Sequence, residues 1–126
     1  MDCYDPELIP NAKEWLALDE GERALLVEQY HRDVRIDLPK RARRIHAMMH
    51  TVVENQLALD DQAIVRATLE RLTKDGLTRH QALHAIGSVL IEYVYDLLHA
   101  KMHSTDGHAP YYAALQRLTS ARWRHG

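Results

Sequence analysis

Apolar residues recur every three or four positions through most of this chain. In the run 39 to 58, Ala42, Ile45, Met49, Val52, Val53 and Leu57 trace one arc of a helical wheel. In 79 to 103 the arc passes through Leu83, Leu90, Ile91, Val94 and Leu98. Strict alternation and Asn-Gly turns are absent, so strands are not expected. Asn11 with Glu14, Asp19 with Glu22, and Thr78 with Gln81 have the form of a helix cap followed by its third residue, which satisfies free amides at a helix start. Asp37 before Pro39, the pair Asp60 and Asp61, and Pro110 after Gly107 mark three further starts, and Gly76 suits the position just past a helix end. Helices are therefore expected near 12 to 17, 20 to 34, 39 to 58, 61 to 75, 79 to 103 and 110 to 122. The fold class that follows is all-α: one helical domain over residues 1–126, an up-and-down bundle of four main helices with short terminal helices added.

A chain of 126 residues is long enough to bury a core without an obligatory metal or disulfide. Its net charge of -2 gives no general attraction to nucleic acid or anionic lipid. Cys3 is the single cysteine, which excludes an internal disulfide and suits a reducing compartment. The acidic, proline-containing N-terminus is unlike a signal peptide, and no run approaches a membrane span, so a cytoplasmic protein is expected.

Histidine changes the picture. Nine are present, and His46 with His50, His80 with His84, and His99 with His103 are each four apart. Random placement would give about half a pair to one pair at that spacing. Spacing of four sets two imidazoles one turn apart on one helix face, where both can meet a single metal ion. The wheel puts His46 and His50 on one flank of the apolar arc with Glu54 beyond, and His80 and His84 at the side of theirs. His99 and His103 fall toward the polar side.

In an up-and-down bundle the helices starting at 39 and 79 run parallel, and the four inward histidines lie within roughly the first 3 to 17 Å of one end. His31 arrives at the same end as a candidate fifth nitrogen ligand. The metal set is therefore His46, His50, Glu54, His80 and His84, with zinc or non-haem iron as the ion. Glu54 is a ligand or a partner behind the ligands, and Glu54 or Glu92 would be the base if the site is hydrolytic. Imidazole ligation suits Zn, Fe, Cu or Ni, so the sequence does not select the metal, nor hydrolysis over redox chemistry. The competing class is a helical interaction module without metal, a homodimer in which Trp15, Tyr111, Tyr112 and Trp123 cover the partner.

The segment "HAMMHTVVENQ" followed by "TRHQALHAIGSVLIEYVYDLL" resembles a family of short, mostly helical bacterial proteins of unknown function with paired HxxxH segments. The likeness runs from about Trp15 to His99 and implies that His46, His50, Glu54, His80 and His84 are the characteristic positions. It brings no activity. The pairs His50 with Glu54 and His80 with His84 are also similar to the HxxxE and HxxxH segments of hemerythrins, whose bundle holds two irons; there His31 would compare with the isolated histidine of the first helix. The chain departs from that pattern in the helix 61 to 75 between the motifs and in lacking a following HxxxxD. Ala47 and Gln81 stand where a zinc protease needs glutamate, which excludes HExxH chemistry. Arg41 and His46 have the spacing of the HEPN ribonuclease Rx4H, but the basic run they belong to reads more simply as a solvated helix start, so nucleic acid is not an expected partner.

Overall fold

The computed structural model describes residues 1–33, 40–59, 62–99 and 109–125, without the side chains of 32, 33, 40–43, 122, 124 and 125. Regular structure among the described residues is entirely α-helical: α1 (Ala12–Ala17), α2 (Glu20–Asp33), α3 (Lys40–Ala58), α4 (Ala63–Lys74), α5 (Arg79–Leu98), α6 (Ala109–Arg117) and α7 (Ser120–His125). None of these helices is long and apolar enough to cross a membrane. The chain divides into two compact units, Met1–Asp61 and Gln62–Gly126.

In the first unit α1 and α2 each pack on α3. Asn11 caps α1 by accepting from the Glu14 amide at 3.0 Å. Asp19 and Glu22 form a reciprocal box at the start of α2, with Oδ1 of Asp19 accepting from the Glu22 amide at 2.8 Å. That amide is the main reason the Asp19 carboxyl sits below its ordinary range, helped by the Glu22 side chain and opposed by partial desolvation. Trp15, fully buried, donates its indole N–H to Asn55 Oδ1 at 2.9 Å. Arg23 meets the same oxygen at 3.0 Å and caps the end of α1 through the carbonyls of Leu16 and Leu18. Asn55 thus fastens α1 and α2 to α3, and Tyr4, Trp15, Val27 and Ala47 close into a core beside it.

The second unit is built of α4, α5 and α6 packed against one another. Gly76, at φ 99°, ends α4 in the left-handed conformation that glycine adopts without a Cβ penalty. The Leu77 amide returns to the Leu72 carbonyl and the Gly76 amide to Thr73, the paired bonds of a Schellman close, with Leu72 and Leu77 both buried. Thr78 and Gln81 then form the expected box at the start of α5.

Two expectations are corrected here. The helix from 110 to 122 is broken at Leu118 and Thr119, because Arg71 of α4 takes the carbonyls of Leu115 and Leu118 at 2.9 and 2.5 Å and so ends α6. The N-cap of α4 is Gln62, whose side chain makes no cap bond to the helix. Asp37, Asp60, Asp61 and Gly107 lie outside the described residues, while Pro110 stands in the first turn of α6, where a start was expected.

Candidate metal centre

The buried face of α3 follows the apolar arc of the helical wheel only in part. Ile45, Met48 and Val52 are exposed, while Ala47, His50, Thr51 and Glu54 join Met49 and Val53 in the interior. The face is rotated because Tyr4 and Trp15 pack on it and carry polar groups that satisfy its polar side chains. His50, expected on the flank, and Glu54, expected beyond it, therefore lie within that face, 0 and 2% exposed.

His31 stands near the end of α2, also buried, and its Nδ1 lies 2.7 Å from the Val27 carbonyl one turn earlier. A carbonyl only accepts, so Nδ1 carries the hydrogen and Nε2 of the neutral ring keeps its lone pair. Burial holds the His31 pKa below that of a free imidazole, partly offset by the Val27 bond, and so favours this neutral form. Nε2 of His46 is 2.9 Å from Nε2 of His31. Since the His31 nitrogen accepts, His46 donates. Two imidazole nitrogens on a tetrahedral zinc, at about 2.0 to 2.1 Å from the metal, stand ~3.3 Å apart. Opening the pair by about 0.4 Å would thus seat an ion in place of the shared hydrogen.

The third ring is His50, whose centroid is 5.0 Å from that of His31 and 5.2 Å from that of His46. His31, His46 and His50 each offer a nitrogen within 4.8 Å of the others, a spread a single ion can draw together. Glu54 is engaged elsewhere: Tyr4 donates its hydroxyl to Oε2 at 2.5 Å, and the same hydroxyl is 3.4 Å from Nδ1 of His50. Glu54 is thus linked to His50 through the Tyr4 hydroxyl. Within this unit His31 has moved from an optional fifth ligand to the middle of the cluster, and Tyr4 is a participant the sequence reading missed. A tyrosine in a proline-flanked N-terminal segment carries no helical spacing to betray it.

The second unit holds the other expected pair. His80 and His84 lie one turn apart on α5, both half-buried, their rings 4.3 Å apart. Each offers a nitrogen within 4.8 Å of the other. Gln81 between them is occupied in the helix cap.

Glu92 is exposed and eight residues beyond His84, about 12 Å along the helix axis, which removes it as a base for that pair. It lines instead a cleft of about 560 Å³ within the second unit, together with Tyr93, Asp96, Arg117 and Trp123. His99 caps α5 at its exposed end, its Nδ1 bonded to the Tyr95 carbonyl and its ring stacked on Tyr95. His103 and His108 lie outside the described residues. The aromatic set expected to cover a partner is also corrected: Trp15 and Tyr111 are core residues at 0 and 2% exposure, since each fills the space between its neighbouring helices.

Among known protein families, curated proteins and solved structures, none matches this chain.

Proposed function

We propose that this protein binds one transition metal ion, zinc or non-haem iron, through neutral imidazoles. The observation that carries the reading is the convergence of His31, His46 and His50, with Nδ1 of His31 held by a carbonyl and Nδ1 of His50 facing a phenol. Metal ligands must present a lone pair, and histidines that bind metals commonly donate their other N–H to such partners. Glu54 serves from behind His50. Three nitrogens leave at least one coordination position on the ion to fill.

That count separates two kinds of centre. Three protein ligands leave room for water, which a bound ion makes acidic enough for hydrolysis, whereas four or five imidazoles close the shell and make the ion structural.

The test is elemental analysis of tag-free protein, followed by zinc titration against a chromophoric chelator. Wild type should carry close to one metal per chain. His50→Ala should weaken zinc binding by more than ~100-fold, beyond what loss of a supporting partner costs, and His99→Ala should leave it unchanged. Absence of zinc or iron uptake at micromolar metal would refute the reading.

A further inference from the structure

Tyr4 lies ahead of α1, in a segment with no helical pattern, yet its ring is buried. It packs against Trp15 and Tyr30 with centroids at 5.7 and 6.2 Å, and stands edge-on to His50 at 6.1 Å. Its hydroxyl has two close neighbours of opposite demand. A carboxylate accepts only, so at 2.5 Å the phenol gives its single hydrogen to Glu54 Oε2. What remains on the phenol oxygen is lone pairs, and Nδ1 of His50 at 3.4 Å must therefore supply the hydrogen of that contact. A neutral imidazole has one N–H, so the lone pair of His50 is placed on Nε2.

We propose that Tyr4 and Glu54 are positioning residues that act on the metal centre through His50: they select its Nδ1–H tautomer and hold the ring so that Nε2 is the ligating atom. The proposal rests on the metal reading above. The arrangement is a carboxylate, phenol, imidazole relay in place of the direct carboxylate to histidine bond of many metal sites. A contact of 3.4 Å is at the long end for a hydrogen bond. A metal ion on Nε2 would draw charge from the ring and make Nδ1–H a stronger donor, which would shorten this contact.

The three rings of the cluster differ in this respect. The orienting partner of His31 is a main-chain carbonyl, which no substitution removes. His46 donates Nε2–H to His31 and must change tautomer before it can ligate through that nitrogen. His50 is bonded at Nδ1 by a side chain from the N-terminal segment, the Tyr4 hydroxyl, which a single substitution removes. Loss of the Tyr4 hydroxyl should therefore be felt at one ligand and leave the other two as they are.

The experiment uses Tyr4→Phe, which keeps the ring and its packing and removes only the hydroxyl, beside Glu54→Gln and the control Tyr112→Phe in the second unit. Zinc affinity is measured by chelator competition, and the tautomer of His50 in the metal-free protein by long-range proton–nitrogen NMR at pH 8. We expect zinc affinity to fall 10- to 100-fold in Tyr4→Phe, as for other partners behind a ligand, less in Glu54→Gln, and not at all in Tyr112→Phe. The His50 spectrum should show the Nδ1–H form in wild type and lose that preference in Tyr4→Phe. A Tyr4→Phe protein with wild-type affinity and an unchanged His50 tautomer would overturn the proposal. A wild type that takes up no zinc or iron, yet shows the tautomer change, would support the relay while refuting the metal reading, so the two fail separately.

Discussion

In the first unit His31, His50, Thr51 and Glu54 are as deeply buried as Val27 and Val53, whereas the buried polar side chains described in the second are Thr68 and Ser120. The second unit spends its interior on Val65, Leu72, Leu77, Leu83, Ile86, Leu90, Tyr111 and Leu115. Its polar pair is cheaply satisfied: Thr68 bonds back to the Ile64 carbonyl within its own helix, and Ser120 donates to Asp75 at 2.9 Å. The first unit must satisfy two imidazoles and a carboxylate away from water, where an unbonded polar group costs about 1 to 3 kcal/mol. It does so with Tyr4, the Val27 carbonyl and His46. Stability alone would favour apolar side chains at those positions. The difference teaches where to look for chemistry: buried titratable groups held by specific partners make the first unit, more than the second, the place to test for it.

Breaking an apolar contact in the second unit should have the largest effect on stability. Leu83→Ala, at a fully buried position of α5, should cost about 2 to 5 kcal/mol, read from urea denaturation, with the same loss in chelator and in zinc. A loss below about 1 kcal/mol would show that the interior of this unit is not what holds it.

Metal should then sharpen the contrast. An ion that binds only the folded state adds RT ln(1 + [L]/Kd), about 2.7 kcal/mol at a hundredfold excess over Kd. Zinc-loaded protein should melt above chelated protein at pH 7.5. Protonation of the imidazoles competes with the metal near their ordinary pKa of about 6.5, so the gap should close by pH 5. Equal melting temperatures at pH 7.5 would mean that the histidines of the first unit are folding residues only.

The smallest effect concerns His31 without metal. Burial keeps its folded pKa below the unfolded value of 6.5, so just below that pH the unfolded chain binds a proton that the folded chain does not. The stability contributed by the neutral ring is fully present above pH 6.5 and is lost as pH falls toward the folded pKa. Urea midpoints of chelated wild type should therefore decline between pH 7.5 and 5.5 more steeply than those of His31→Gln. Parallel declines would place the pH sensitivity on other histidines.

Local rules made the helices legible from the sequence alone. A cap, its third residue and a terminal glycine act within one turn, so Asn11, Asp19, Gly76 and Thr78 mark the ends of elements wherever those elements go, and α1 to α3 begin and end within a residue of expectation. The HxxxH pairs were equally readable, because a spacing of four fixes a shared face whatever packs on it. Which face turns inward was not. On α3 the apolar arc gave way to His50 and Glu54, because a phenol from residue 4 and an indole from residue 15, 46 and 40 residues away from the side chains they bond, decide what that interior can hold. The same holds for the break between α6 and α7, set by Arg71 from another helix, and for the promotion of His31 into the cluster with His46 and His50. Helix ends are settled among near neighbours in sequence. The partners of buried polar groups come from distant ones, and only the tertiary structure brings them within hydrogen-bonding reach.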